Sequence, residues 1–125
     1  MTGGSTTVLV VDDEPAIRLL CRVNLELDGF EVLEASSVPE ARERLAGADV
    51  DLVLLDLHLG HDRSHALIEE CASRQPPVPV ALVTGSTDLR SAREAGADAV
   101  LAKPFAIEEL AALAQRLTAR RAATR

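Results

Sequence analysis

The sequence is short of aromatic side chains and of long apolar stretches. It has no Trp and no Tyr, and its two aromatic residues are Phe30 and Phe105, so stacking on bases or sugars is not expected. No run of about 18 apolar residues occurs, which argues against a membrane-spanning helix. Residues Met1 to Thr7 lack the basic start and apolar stretch of a secretion signal, so we expect a cytoplasmic protein without a membrane partner.

Positive charge and thiols are also scarce. The formal net charge of −7 argues against direct contact with nucleic acid. We interpret the basic C-terminal end as a solvated last turn that complements the helix dipole. Its members are Arg116, Arg120, Arg121 and Arg125. The two cysteines, Cys21 and Cys71, lie in helix-like segments, and we expect both to be reduced and mostly buried.

The sequence does contain a regular alternation of apolar runs and helical stripes. Strands are predicted at residues 7–11, 30–35, 51–55, 80–83 and 98–101. Helices are predicted at 15–27, 37–47, 65–74, 87–95 and 107–121, with a loop at 57–64. This alternation predicts an α/β fold of the doubly wound, flavodoxin-like kind: a five-stranded parallel sheet of order 2-1-3-4-5 with helices on both faces. We expect one domain at residues 7–121, a flexible N-terminus at 1–6 and a C-terminal tail at 122–125.

Polar residues follow four of the predicted strands. Asp12 and Asp13 follow the first strand, Asp56 the third, Thr84 the fourth and Lys103 the fifth. Ligands of open parallel sheets bind outside the carboxyl ends of the strands, so we expect these groups to converge. Crowded carboxylates need a cation, and oxygen ligands suit Mg²⁺. One of the carboxylates can then act as a nucleophile that forms an aspartyl phosphate.

Lys103 is the only lysine in a chain that uses arginine for every other basic side chain. A lysine ammonium is a compact point charge on a flexible stem, whereas arginine presents a planar fork. The residue type therefore indicates a close contact with one phosphoryl or carboxylate oxygen.

Four segments together resemble the signature blocks of the receiver domains of two-component response regulators. They are Val8–Glu14, Asp51–Leu57, Val83–Ser86 and Ala102–Phe105. The order and spacing also agree with that family over about residues 7 to 120. The resemblance implies a phosphoacceptor module that receives a phosphoryl group from a phosphohistidine of a sensor histidine kinase or phosphotransfer protein.

The resemblance also implies roles for individual residues. Asp12 and Asp13 would bind Mg²⁺, together with Asp56 and the backbone carbonyl of His58. Asp56 would accept the phosphoryl group. No other cofactor is implied.

Two further residues complete the implied phosphoryl site. The hydroxyl of Thr84 and the ammonium of Lys103 would bond the phosphoryl oxygens, and the peptide before Pro104 should be cis. Such a domain is not a conventional enzyme, because it catalyses its own phosphorylation and slow dephosphorylation. The face formed by the predicted fourth helix, fifth strand and fifth helix is the implied surface for partners and a candidate homodimer surface.

One departure from the family pattern keeps an alternative open. Val100 stands where the family usually has Tyr or Phe, which puts the usual coupled switch in doubt. The alternative is a pseudo-receiver, a protein-binding module without routine phosphorylation. A phosphatase acting on an external substrate would need a cap that no spare segment could build. A flavin-binding protein would need a phosphate loop after the first strand, where Asp12–Glu14 is acidic.

Overall fold

Five parallel strands form the centre of the molecule, in the order β2-β1-β3-β4-β5. The structure is a computed structural model that describes residues 6–59, 61–85, 90 and 96–124. The strands are β1 (Thr7–Val11), β2 (Glu31–Ala35), β3 (Leu52–Asp56), β4 (Val80–Gly85) and β5 (Ala99–Lys103). The helices within the described part of the chain are α1 (Pro15–Leu27), α2 (Val38–Gly47), α3 (His61–Ala72) and the C-terminal helix (Ile107–Ala123). The predicted helix at 87–95 lies outside the described residues.

The sheet is parallel throughout. β1 pairs with β2 and with β3, β3 pairs with β4, and β4 pairs with β5. Every residue of β1 and of β3 is buried, as expected of central strands that are covered by helices on both faces. The predicted fold class and strand order are therefore confirmed.

Two apolar clusters hold the helices against the sheet. On one face, α2 and α3 bury Leu45 and Leu67 against β-strand residues such as Leu55. On the other face, α1 and the C-terminal helix bury Leu25 and Leu117 against the alternate residues of the same strands. No helix among the described residues is both long enough and apolar enough to cross a bilayer.

The predicted loop at residues 57–64 is wrong. Leu57–Leu59 form a 3₁₀ turn, and α3 begins at His61 rather than near residue 65. The first turn of α3 is made of polar residues and does not carry the apolar periodicity by which a helix is recognised in a sequence. The helix also ends at Ala72, two residues earlier than predicted.

The predicted solvated tail is wrong for Arg121. Its side chain is buried, and its Nη1 donates to Asp51 Oδ1 at 2.7 Å and lies 3.3 Å from Asp49 Oδ1. Asp51 also accepts a hydrogen bond from the backbone N–H of Thr7. The C-terminal helix runs to Ala123, into the stretch predicted as a tail. The contact between Arg121 and Asp51 connects its last turns to the residue before β3. Cys21 and Cys71 are both free and buried, as predicted.

Candidate functional site

Three aspartates meet at the carboxyl edge of the sheet. Asp12 and Asp13 follow β1, and Asp56 is the last residue of β3. One carboxylate oxygen from each lies within 4.8 Å of the other two. Asp12 and Asp56 are buried, with 2% and 1% of their surface exposed, whereas Asp13 is exposed. The sequence correctly predicted that strand order would bring these three residues together.

The two oxygens of Asp56 have different surroundings. Oδ1 accepts a hydrogen bond of 3.0 Å from the backbone N–H of His58. Oδ2 is buried and has no hydrogen-bond partner among the described residues. Burial raises the pKa of Asp56 above its usual range and the nearby Asp12 adds to this, although the His58 N–H and the Lys103 ammonium oppose it. Asp56 therefore offers one oxygen that is both shielded from water and uncommitted.

Lys103 reaches the acidic cluster from the end of β5. Its Nζ lies 3.3 Å from Asp12 Oδ2, 3.8 Å from Asp56 Oδ1 and 3.9 Å from Glu14 Oε1. The side chain is 17% exposed, so the ammonium is largely enclosed. The following peptide, Lys103–Pro104, is cis, as predicted.

Thr84 lies beside Asp56 at the end of β4. Asp56 pairs in register with Val83, the residue before Thr84. The Thr84 side chain is fully buried, and its Oγ1 donates to the Gly85 carbonyl at 3.3 Å. Val100, on the neighbouring strand, is partly buried and packs against the cluster beneath α2 and α3.

His58 occupies the 3₁₀ turn directly after Asp56. Its ring is 61% exposed and places Nδ1 at 3.5 Å from Asp56 Oδ1. The backbone N–H holds the carboxylate, as described above. The metal-ligand role of the His58 carbonyl stays a prediction.

Sequence reasoning missed Arg18, on the first turns of α1. Its Nη1 donates to the backbone carbonyl of Asp12 at 2.7 Å, and its Nε donates to Glu34 Oε1 at 3.3 Å. A basic residue on a helix opposite an acidic residue of the neighbouring strand was the available signal. By itself that signal does not show that the arginine also contacts the Asp12 backbone.

The donor set suits a divalent cation. Its carboxylate groups are all oxygen donors, which is the preference of Mg²⁺. The uncommitted Asp56 oxygen is an acceptor whose burial is costly unless something pairs with it. Lys103 supplies one positive charge beside three clustered aspartates, so within the described part of the site the negative charge is not fully balanced.

A family comparison decides what kind of domain carries this site. The family model described as the response regulator receiver domain matches residues 8–115. This chain belongs to that receiver family. The receiver domain of NtrX from Brucella abortus is similar in structure, with a TM-score of 0.78, 28% sequence identity and coverage of 89% of this chain and 97% of that one. A CheY-like receiver protein from Methanospirillum hungatei has a TM-score of 0.82 at 26% identity, with 94% and 97% covered.

Curated relatives place receiver domains of this kind inside longer proteins. The KDP operon transcriptional regulatory protein KdpE of Escherichia coli is 36% identical over 121 residues, which are 95% of this chain and 54% of KdpE. The sensor kinase CckA of Brucella abortus is 35% identical over 113 residues, which are 86% of this chain and 12% of CckA. This receiver therefore spans about half of one relative and a small part of the other.

Proposed function

We propose that this receiver takes a phosphoryl group onto Asp56 from a phosphohistidine of a sensor histidine kinase or phosphotransfer protein. One observation carries the proposal. Asp56 is a buried carboxylate with one oxygen free of hydrogen-bond partners among the described residues, and it lies against two other aspartates and the Lys103 ammonium. This arrangement fits a nucleophile that works beside a cation.

Mg²⁺ is the cofactor proposed for the reaction. Asp12, Asp13, Asp56 and the backbone carbonyl of His58 would hold it. When bound, the ion would neutralise the crowded carboxylates and the negative charge of the incoming phosphoryl group. Of the three carboxylates that would hold it, those of Asp12 and Asp56 are buried and that of Asp13 is exposed.

The chain's own groups would then act in order. An oxygen of ionised Asp56 attacks phosphorus, the bond from phosphorus to the donor's imidazole nitrogen breaks, and that nitrogen keeps the electron pair. Lys103, already 3.8 Å from Asp56 Oδ1, can stabilise a phosphoryl oxygen. The Thr84 hydroxyl can rotate away from the Gly85 carbonyl and donate to another phosphoryl oxygen.

Phosphorylation would change the contacts of the receiver with its partners. A phosphoryl group adds between one and a half and two negative charges at about pH 7. These charges would attract the Thr84 hydroxyl and the Lys103 ammonium at the ends of β4 and β5. We place the responding surface on the predicted fourth helix, β5 and the C-terminal helix, where partner or homodimer contacts would form.

A second candidate is a pseudo-receiver that binds a partner without routine phosphorylation. Val100 favours it, because a short side chain packed against the core cannot make the aromatic movement usual in the family. The complete set of Asp12, Asp13, Asp56, Thr84 and Lys103 weighs against it.

Acetyl phosphate with Mg²⁺, followed by intact-mass spectrometry, separates the two candidates. We expect acid-labile phosphorylation of the wild type, none of Asp56→Asn, and normal phosphorylation of Asp28→Asn, an exposed aspartate just after α1. Phosphorylation of Asp56→Asn at the wild-type stoichiometry would refute the assignment of Asp56. A folded wild type that incorporates no phosphate, and that a phosphohistidine donor also fails to label, would favour the pseudo-receiver.

A further inference from the structure

Arg18 connects the acidic cluster to two other elements. It lies on α1, and its side chain is only 19% exposed. Its guanidinium donates to the backbone carbonyl of Asp12 at 2.7 Å and to the carboxylate of Glu34 on β2 at 3.3 Å. A charge-assisted contact as short as the first is among the stronger hydrogen bonds in proteins.

The Asp12 carbonyl that accepts from Arg18 lies between the two aspartates of the pair. It belongs to the rigid peptide plane that joins Asp12 to Asp13, so its direction determines how the chain leaves Asp12 and where Asp13 begins. The other polar atoms of Asp12 also have contacts. Its N–H donates to the Ala35 carbonyl at 3.0 Å, its Oδ1 accepts from the Glu14 N–H at 2.9 Å, and its Oδ2 faces Lys103 at 3.3 Å.

Glu34 fixes the guanidinium in turn. One of its oxygens accepts from Arg18 Nε, and the other accepts from Arg22 Nη1 at 2.8 Å. Glu34 precedes Ala35, whose carbonyl holds Asp12. The planar fork of arginine can serve the Asp12 carbonyl and Glu34 together, which a lysine ammonium on a flexible stem does less well.

We infer that Arg18 is a positioning residue that sets the geometry of the Asp12–Asp13 pair for Mg²⁺. The inference rests on the proposed function, and it predicts the direction in which the Mg²⁺ affinity changes when Arg18 is removed. As a nearby cation, Arg18 repels Mg²⁺, so if charge alone mattered its removal would tighten Mg²⁺ binding. If positioning dominates, its removal weakens binding, because the two aspartates lose their mutual geometry.

The test is a Mg²⁺ titration of the full chain by isothermal calorimetry and amide chemical shifts, with thermal unfolding measured on the same samples. We expect Arg18→Ala to raise the dissociation constant on the order of tenfold, as is typical when a residue that supports metal ligands is lost. Arg18→Lys should recover part of the affinity. The matched control is Arg42→Ala, which removes a similar ion pair with Glu70, 2.8 Å long, between α2 and α3.

The possible outcomes separate this inference from the proposed function. A wild type without measurable Mg²⁺ affinity would overturn both. Wild-type binding with unchanged or tighter binding by Arg18→Ala would overturn the inference alone, as would an equal loss in Arg42→Ala. If Arg18→Ala does not fold, Glu34→Gln decides the matter. Glu34→Gln keeps Arg18 but weakens the ion pair that orients its guanidinium. It should therefore weaken Mg²⁺ binding, as Arg18→Ala does, but by a smaller factor. Unchanged affinity would refute the inference.

Discussion

Replacing Asp56 with Asn should stabilise this receiver at neutral pH when Mg²⁺ is absent. Burial raises the pKa of Asp56 in the folded state, so the folded protein disfavours the ionised form. A carboxyl group with a raised folded-state pKa gives its full support to the fold below its unfolded pKa and loses it as the pH rises through the folded value. At pH 7.5 the wild type has lost the stabilisation that the neutral Asp56 carboxyl group provides. The asparagine side chain is neutral at that pH, and its amide oxygen can still accept from His58.

The distances set the size of the effect. At an effective dielectric constant of about 20, the attraction between Lys103 and Asp56 at 3.8 Å is about 4 kcal/mol, and the repulsion from Asp12 within 4.8 Å is at least about 3.5 kcal/mol. Exposed Asp13 adds a weaker, screened repulsion. The Coulomb contributions therefore nearly cancel, and the desolvation of a buried carboxylate remains. We expect a gain of about 1–3 kcal/mol, equivalent to roughly 4–12 °C in Tm for a domain of this size.

Thermal and urea unfolding, followed by far-UV circular dichroism in EDTA, measure the gain. It should shrink as the pH is lowered through the raised pKa of Asp56, because the wild-type carboxyl group then becomes neutral. Added Mg²⁺ should stabilise the wild type by binding only its folded state and should narrow or reverse the difference. Asp28→Asn, at an exposed position after α1, controls for a general effect of removing negative charge.

An Asp56→Asn protein that is no more stable than the wild type in EDTA at pH 7.5 would refute this reasoning. The same conclusion would follow from a gain that persists unchanged down to pH 4. The first result would mean that Lys103 and the His58 N–H compensate fully for the burial of the charge, and the second that the gain does not come from the ionisation of Asp56.

Three further outcomes are expected. Lys103→Arg should slow phosphorylation by acetyl phosphate about tenfold or more, since a planar fork does not replace a point charge close to a phosphoryl oxygen; an unchanged rate would contradict a role for Lys103. Arg121→Ala should cost about 3–5 kcal/mol in urea unfolding, because Asp51 loses a buried partner, whereas Arg120→Ala, an exposed neighbour, should change stability by about 0.5 kcal/mol or less. Burial raises the pKa of Cys21 and of Cys71 to about 11, so a thiol reagent at pH 7.5 should modify both slowly in the native protein and rapidly in urea; fast modification of the native protein would contradict their burial.

The sheet and the acidic cluster were predictable because each depends on a local signal combined with a general rule. Uniformly apolar strands show burial on both faces, and parallel strands bring their carboxyl ends to one edge. Residues far apart in sequence, such as Asp12 and Lys103, therefore meet without any contact having to be inferred individually.

Arg121 and the start of α3 were not predictable in this way. Arg121 contacts Asp51, 70 residues earlier in the chain. It lies on the buried face of its helix, four residues after Leu117, but that position alone does not show that a carboxylate is available to pair with it. The first turn of α3 is polar, so it lacks the apolar periodicity by which a helix is recognised in a sequence.

Val100 shows how the same framework limits the switch. It pairs in register with Leu82, two residues before Thr84 on β4, and packs on the cluster beneath α2 and α3. A β-branched side chain has little rotamer freedom, so it cannot follow the Thr84 hydroxyl when that group turns toward a phosphoryl oxygen. We therefore expect a smaller rearrangement at the ends of β4 and β5 than in receivers with an aromatic residue at this position. A ligand shifts an equilibrium only by its differential affinity for the two states, and with one fewer group changing its contacts, phosphorylation should bias the partner surface less than in receivers with an aromatic residue at this position.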